Sequence, residues 1–422
     1  MTLKTEKLKA FLVTLYYPGI PIADVRPHLR ELAGLCGTSG LDVCGEQIIK
    51  MRNPHPKYLV GSGKAAEIVE SAAEADADII IFDDEISPAQ QRNWEKLSKK
   101  TVIDRQELIL EIFSDHAHTR ESALQVELAT LQYSLPRLKR AWTHLSRQRG
   151  GMRGTRGEGE TQLEMDRRQV LQRIAKIKQD LEKVVSNRGV QRKQRRSVPV
   201  PTGSFVGYTN AGKSSLLNTL TGSSVTVQNK LFATLDPTTR RITLPSGTDV
   251  LLTDTVGFIR KLPHSLVDAF KSTLEETVFA DFLIHVLDCT AAEIDEHVKT
   301  TRDVLKELQI SGKPIITVFN KIDAIKDPDE LQLLSVRYPD AFFVSARTGE
   351  GMEKLKSAIT SAASLNMAQT CFSFPYSRYD LITYLYRTGR VLGEKYIDHH
   401  IELTAEVSEK TKQILKPYIV EI

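Results

Sequence analysis

Residues 207–214 of this 422-residue chain run Gly207, Tyr208, Thr209, Asn210, Ala211, Gly212, Lys213 and Ser214. The apolar run Ser204-Phe-Val206 precedes them, and the helix-like Ser215-Leu-Leu-Asn-Thr-Leu220 follows. A glycine, four free positions and then Gly-Lys-Ser, set between a strand and a helix, is the pattern a phosphate cradle requires. Glycines let backbone N–H groups turn inward around a polyphosphate, and the helix N-terminus adds its positive end. Lys213 would then bridge the β- and γ-phosphates, and the Ser214 hydroxyl would ligate Mg²⁺. The alternative is a tight glycine turn that binds nothing, and three further motifs argue against it.

The stretch Leu251-Leu-Thr-Asp254-Thr255-Val256-Gly257 is an apolar strand ending in Asp-x-x-Gly, reading the Asp from the strand's last position. Its carboxylate can hold the magnesium shell, and the Gly257 N–H can meet a γ-phosphate. A second apolar strand, from Pro314, ends in Asn320, Lys321, Ile322 and Asp323. An aspartate there accepts the paired N1–H and N2–H₂ donors of guanine, which adenine does not offer. The wrong base would leave a buried carboxylate unpaired, and that is costly. A third strand end, Phe343-Val-Ser345-Ala346-Arg347, stands where a backbone N–H could meet the guanine O6. Each motif alone is weak, but four in register across alternating strand and helix patterns specify GTP.

Between the cradle and Asp254, the stretch Leu231-Phe232-Ala233-Thr234-Leu235-Asp236-Pro-Thr238-Thr239 supplies three hydroxyls after the first helix. A γ-phosphate-sensing loop, ordered by GTP and released after hydrolysis, is expected there. Thr234, Thr238 and Thr239 are the candidates to complete the Mg²⁺ shell. Lys213, Gly257 and the chosen threonine are expected to carry the catalysis. Phe258 stands where many GTPases place a glutamine that orients the attacking water, and it can neither donate nor accept a proton. Slow intrinsic hydrolysis is therefore expected.

Taken together, this set resembles the translation-factor class of GTPases, and other phrases narrow the resemblance to the HflX family. They are Phe82-Asp-Asp-Glu-Ile-Ser-Pro-Ala-Gln-Gln-Arg-Asn93, Leu124-Gln-Val-Glu-Leu128, Leu135-Pro-Arg-Leu138, Gly159-Glu-Thr-Gln-Leu-Glu164, Asp166-Arg-Arg168 and Phe232-Ala-Thr-Leu-Asp-Pro237. The resemblance implies a cytoplasmic GTPase that binds the large ribosomal subunit and splits stalled or idle ribosomes. It also implies that Thr234 joins Ser214 on Mg²⁺. Asn210 occupies a loop position where some related GTPases coordinate K⁺, whose charge acts like an arginine finger. It is equally readable as a residue that merely tolerates the loop conformation. A regulatory switch acting on a protein effector remains the alternative function.

The remaining sequence suggests four parts: 1–120, 121–196, 197–365 and 366–422. The first alternates buried strands (Ala10–Leu15, Ala77–Phe82) with helices (Val25–Cys36, Ala65–Ala75) and reads as a small α/β domain. Within it, Gly61-Ser-Gly-Lys64 lacks the four-residue span and the hydroxyl after lysine, so it reads as a turn and helix cap. Asp83, Asp84 and Glu85 read as a solvated strand end, with a metal site as the less favoured reading. In the second part, Leu124, Leu128, Leu131, Leu135, Leu138, Trp142 and Leu145 recur at steps of four and three, as do Val170, Ile174, Ile177, Leu181 and Val184. Such seams predict an antiparallel helical hairpin, kinked at Pro136 and reversing at the glycine-rich 150–159. The third part is the P-loop domain, a mostly parallel sheet with helices on both faces, with strands near 204–207, 241–254, 282–288, 314–320 and 341–344. The fourth is a small α+β tail in which Tyr376, Tyr379, Tyr384 and Tyr386 read mainly as core.

From Leu128 to Gly157 the chain carries no acid but holds Arg137, Lys139, Arg140, Arg147, Arg149, Arg153 and Arg156. Arg188, Arg192, Lys193, Arg195 and Arg196 crowd what reads as a linker. Such an acid-free window in a near-neutral protein favours phosphate-backbone binding over a merely solvated face. Arg147, Arg149, Arg153 and Arg156 are the expected RNA contacts, and the resemblance implies that this loop reaches the peptidyl-transferase region of ribosomal RNA. The sequence departs from the family pattern at Glu158 and Met165, and Glu158 sets one negative charge beside the tip, which weakens a purely electrostatic argument. Overall, 57 Lys and Arg stand against 53 Asp and Glu, a net charge of +4 too mild to announce nucleic acid by itself. Four cysteines without a Cys-x-x-Cys pair fit a reduced cytosol and argue against a structural zinc. No signal peptide and no apolar run of the ~20 residues a membrane helix needs is visible, and a monomer is expected.

Overall fold

The computed structural model describes residues 7–19, 21–138, 156–196, 200–223, 230–245, 247–261, 276–310, 312–364, 367–397 and 399–420. The chain forms two compact units, one centred on the chain up to Val184 and including Lys230–Phe232, the other carrying Ala233–Lys261 and the later strands. In the first unit, β1 (Lys9–Tyr16), α1 (Ile22–Ser39), β2 (Asp42–Lys50), α2 (Ser62–Glu74), β3 (Ile79–Phe82), α3 (Pro88–Ser98), β4 (Thr101–Asp104) and α4 (Arg105–His116) alternate. The sheet is parallel in the order β2-β1-β3-β4. Strands covered on both faces read as continuous apolar runs, which is why Ala10–Leu15 and Ile79–Phe82 stand out in the sequence. Phe11, Ile80, Phe82 and Trp94 fill this core.

Gly61 caps α2, and Lys64 pairs with Glu67 on its exposed face, so this segment is a helix start. Asp83 departs from expectation: it is 1% exposed. Arg105 Nη1 lies 2.8 Å from its carboxylate, which makes the strand end a buried ion pair rather than a solvated acid.

The hairpin begins with α5 (Arg120–Ser134), continues through a 3₁₀ turn at Leu135–Arg137 and returns along α6 (Arg156–Arg196). Leu124, Leu128, Leu131 and Leu135 pack against Val170, Ile174, Ile177 and Leu181, the two expected seams. Arg173 grips Glu127 with two bonds of 2.6 and 2.9 Å and sets their register. Three expectations are corrected. Pro136 ends α5 instead of kinking it, because the ring cannot continue the i→i−4 ladder. Gly157 and Gly159 lie inside α6, while residues 150–155 of the expected turn lie outside the described residues. The basic cluster from Arg188 to Arg196 is helix rather than linker, which gives α6 41 residues and a length of ~60 Å. Trp142, Leu145 and the tip arginines Arg147, Arg149 and Arg153 lie outside the described residues, and Arg156 opens α6.

In the second unit, β5 (Thr202–Gly207) leads through the phosphate loop into α7 (Lys213–Thr221). Next come β6 (Thr238–Thr243), β7 (Asp249–Asp254), β8 (Phe282–Asp288), α8 (Ile294–Glu307), β9 (Ile315–Asn320), α9 (Pro328–Arg337), β10 (Phe342–Phe343) and α10 (Met352–Ser364). The order is β10-β9-β8-β5-β7-β6, with β6 antiparallel to β7 and the other pairs parallel. The expected single strand over 241–254 is thus a hairpin, closed where Leu244 N–H donates to Thr248 O. Phe205, Phe282, Ile284 and Val286 centre the core, so β5 and β8 are held rigid beneath the loops.

The tail orders β11 (Met367–Pro375), α11 (Tyr379–Thr388), β12 (Gly389–Ile397), β13 (His400–Ser408), α12 (Glu409–Ile414) and β14 (Ile419–Val420). Its antiparallel sheet runs β12-β13-β11-β14 around Phe372 and Phe374. Tyr384 packs on that core, but Tyr376, Tyr379 and Tyr386 are exposed, against the core expectation. Among the described residues, no helix is long and apolar enough to cross a membrane.

Candidate active site

The motifs converge at the carboxyl ends of β5, β7 and β9, where a parallel sheet offers its crevice. Gly207 has φ +146°, and a Cβ there would lie 2.2 Å from Val286 O. Gly212 has φ +93°, and its Cβ would meet Asn320 Nδ2 at 2.1 Å. Both glycines are therefore obligatory, one against the sheet and one against the base-reading segment. Asn210, also left-handed at φ +60°, is exposed at the loop crest, whereas Thr209 and Ala211 are buried.

Lys213 opens α7 and is fully buried; its Nζ donates to Gly207 O at 3.1 Å and Tyr208 O at 2.9 Å. An ammonium has three donors, so the third remains for a phosphate oxygen. Burial pulls the Lys213 pKa down to about 8, partly opposed by the Asp254 carboxylate. Next to it, Ser214 Oγ donates to Asp254 Oδ2 at 2.6 Å and lies 2.9 Å from Thr234 Oγ1. Thr239 instead pairs with Thr253 at 2.9 Å, and Thr238 is exposed on β6, so Thr234 is the hydroxyl that joins Ser214. Burial raises the Asp254 pKa, while Lys213 and the Ser214 and Thr234 hydroxyls lower it. Asp254 Oδ1 is buried without a hydrogen-bond partner. Two hydroxyls and an orphaned carboxylate oxygen, all hard oxygen donors, fit Mg²⁺. Bound there with a nucleotide, Mg²⁺ would offset charge on the phosphate oxygens.

The neighbours of Thr234 diverge. Ala233 is exposed and Leu235 is buried, while Asp236 is intermediate. Phe232 belongs to the first unit: its ring meets Phe113 edge-on, with centroids 4.6 Å apart. The Leu231 N–H beside it donates to Thr38 Oγ1 at 3.3 Å. The Phe232 ring is thus spent on packing within the first unit.

The base-reading residues do meet. Asn320 Nδ2 donates to Ala211 O at 3.0 Å, and its Oδ1 accepts from Ala346 N–H at 3.0 Å, tying three loops together. Ser345 Oγ donates to Asp323 Oδ1 at 2.6 Å, while exposed Arg347 reaches Asp323 Oδ2 only at 3.9 Å. Lys321, at φ +69°, extends to Asp288 Oδ2 at 2.6 Å. Ile322 packs into the core beside Phe319. Ser215, half-buried, follows the cradle in α7.

The segment after Asp254 is also fixed. Thr255 Oγ1 donates to Phe205 O at 2.6 Å, so it serves the sheet, and Val256 is buried. A Cβ on Gly257 would lie 2.5 Å from Thr209 Cα and 2.9 Å from Lys213 Nζ, which only glycine allows. Phe258 is buried among Val206, Leu283, Val304 and Leu305, so its side chain points into the core.

A model described as GTP-binding GTPase N-terminal matches residues 26–114, GTP-binding GTPase Middle Region matches 116–195, and 50S ribosome-binding GTPase matches 202–321. A GTPase HflX of Akkermansia muciniphila is 45% identical, covering 94% of this chain and 93% of that protein. The chain belongs to the HflX GTPase family. The Escherichia coli HflX is 45% identical over 82% of each chain. A GTP-binding protein of Sulfolobus solfataricus solved with GDP is 27% identical, with a TM-score of 0.44 over 85% of this chain and 99% of that one.

As an HflX GTPase, the protein binds and hydrolyses GTP. Sequence reasoning took Tyr208 only as part of the phosphate loop and missed two side chains near it, His297 and His285. The Tyr208 ring stacks on His297 with centroids 3.8 Å apart, and its hydroxyl accepts the Arg260 N–H at 2.8 Å. His285, on β8, is buried with Nε2 unpartnered. Only His285 left a sequence signal, a lone polar residue inside the apolar run Phe282–Leu287.

Proposed function

We propose that this HflX GTPase binds the large ribosomal subunit in its GTP form and separates stalled or idle ribosomes, with hydrolysis serving release. The carrying observation is a nucleotide cradle complete at Lys213, Ser214, Thr234 and Asp254, in a chain whose two-helix arm brackets an acid-free stretch rich in arginine. The similarity to a family described as 50S ribosome-binding supports the partner. In this reading Lys213 bridges the phosphates, Ser214 and Thr234 hold Mg²⁺, and the Gly257 N–H meets the γ-phosphate. Asp323 and the Ser345–Ala346 backbone read guanine, and Arg147, Arg149, Arg153 and Arg156 contact ribosomal RNA. Four functional parts, at 1–120, 121–196, 197–365 and 366–422, working as a monomer in the cytoplasm, complete the proposal.

Sucrose-gradient sedimentation with a non-hydrolysable GTP analogue tests the partner: the protein should travel with the large subunit, and absence from that fraction rejects the reading. Replacing Arg149, Arg153 and Arg156 with alanine should abolish splitting in a light-scattering assay while nucleotide affinity is kept. Phosphate contacts of this kind weaken steeply with salt. Full splitting by the triple variant would favour the effector switch. Potassium at Asn210 would assist hydrolysis, so hydrolysis should run faster in KCl than in NaCl; equal rates remove it.

A further inference from the structure

Phe258 is buried in the core, and the backbone that runs on from Asp254 through it is fastened to the phosphate loop. Three contacts hold it. Phe258 N–H donates to Gly207 O at 3.0 Å, and Thr209 N–H donates to Phe258 O at 2.7 Å, a two-bond bridge between this segment and the phosphate loop. Two residues further on, the Arg260 N–H donates to the Tyr208 hydroxyl at 2.8 Å. The Tyr208 ring is itself held flat against the His297 imidazole of α8, 16° from parallel. Between these fastenings sits Gly257, packed on Thr209 and the Lys213 ammonium.

We propose that Tyr208 is a positioning residue for hydrolysis: clamped on His297, it fixes the Arg260 N–H and so holds Gly257 and the backbone beyond it in register over the terminal phosphate. This rests on the reading that Gly257 faces that phosphate. The hydroxyl is the working atom. A buried phenol needs a partner, and here the partner is the backbone of the segment that must stay put. The ring is a lever, because a loop residue alone could not hold an oxygen at that distance without the imidazole behind it. Geometry lost by a few tenths of an ångström at a reacting centre is expensive in rate and cheap in ground-state binding.

The test is a split between rate and affinity. Tyr208→Phe keeps the ring and removes one hydrogen bond, so kcat for GTP should fall between about three- and tenfold while GDP affinity and Tm stay unchanged. His297→Ala should lower kcat in the same direction, and His297→Phe, which restores a flat partner, should recover it. Tryptic cleavage after Arg260 and Lys261, followed by mass spectrometry, should accelerate in Tyr208→Phe. Wild-type kcat and wild-type cleavage in that variant overturn the proposal. A parallel loss of kcat, GDP affinity and Tm assigns Tyr208 to the core and also overturns it. Gly257→Ala tests the underlying reading: its Cβ also crowds Thr209 and Lys213, so both nucleotides should bind more weakly, but a GTP analogue should lose affinity by a larger factor than GDP. If the analogue loses no more than GDP, the phosphate-facing reading fails whatever Tyr208 does.

Discussion

Two buried polar clusters in this molecule each set a cation beside an aspartate, to opposite ends. At the root of the helical hairpin, Arg137 donates to Gln91 Oε1 at 3.1 Å, Tyr133 O at 3.1 Å, Ile86 O at 2.8 Å and Asp104 Oδ2 at 3.4 Å. Its guanidinium also lies 3.6 Å from the centre of the Tyr133 ring. Asp104 accepts in addition from the Ile86 and Glu107 N–H groups and the Tyr133 hydroxyl. The sequence analysis had counted Arg137 in the basic window favoured for phosphate-backbone binding, but the structure buries it as the bolt between arm and sheet. At the nucleotide cradle, Lys213 keeps a donor, Asp254 keeps an unpartnered oxygen and both have displaced pKa values. A cluster whose valences close on itself is a joint, and one whose valences stay open is built for a ligand.

The sharpest way to break this contrast is one alanine in each cluster. Lys213→Ala should reduce GTP hydrolysis roughly a thousandfold or more, as the loss of a charged phosphate donor does. Its Tm should not fall, since a desolvated buried ammonium is removed with it. Arg137→Ala should do the reverse, lowering stability by about 3–5 kcal/mol because the buried Asp104 loses its counter-charge and Ile86 O, Tyr133 O and Gln91 lose a donor. Thermal melts and single-turnover hydrolysis on both variants check this. A melt loss at Lys213 as large as that at Arg137 would erase the distinction.

The contrast also explains what was legible. Gly207, Gly212 and Gly257 are dictated by backbone approach to Val286, Asn320 and Thr209, so the motifs carry their own steric reason, and the sequence exposes it. The hairpin seams were readable because heptad spacing reports packing directly. Arg137 was not, because a guanidinium's burial depends on acceptors 30 to 50 residues away that no local pattern announces. Nor was Phe232, whose partner is Phe113 on α4. The Pro136 reading erred by a rule of degree: near the end of a helix, proline stops it instead of bending it. The run over 241–254 was read as one strand because its polar turn is only a few residues long.

A carboxylate-to-amide change in each cluster is a finer probe. Asp323→Asn should lower GTP affinity about ten- to a hundredfold and raise that for xanthosine triphosphate, because the amide donor meets an acceptor on xanthine where guanine offers a donor. Ser345 can still donate to the retained carbonyl oxygen, so the pocket should persist. Asp104→Asn loses acceptor capacity toward Arg137 and Tyr133, gains no ligand and should show only a lower Tm. Competition binding with both nucleotides reads the first change. Unchanged GTP affinity would show that Asp323 does not read the base.

An effect confined to low pH is expected at His285, beneath the cradle. Burial, reinforced by Lys213, Arg302 and His297, drops its pKa to about 4 from an ordinary value of 6.5, so the folded protein keeps the imidazole neutral where the unfolded chain protonates it. The sign follows from proton counts. Above 6.5 neither state binds the proton and the stability is level; as pH falls from 6.5 toward 4 the unfolded state alone takes it up, and stability is lost. Across that window the loss is on the order of 3 kcal/mol. His285→Leu removes the titrating group and fills the same buried space, so its Tm should fall less between pH 6.5 and 4.5 than the wild type's. The hairpin-root variant Arg137→Ala retains His285 and should keep the wild-type pH slope from a lower starting point. Parallel melting curves for wild type and His285→Leu through that range would show that the imidazole is protonated in the folded protein, and that the strand beneath the cradle is wetter than its packing indicates.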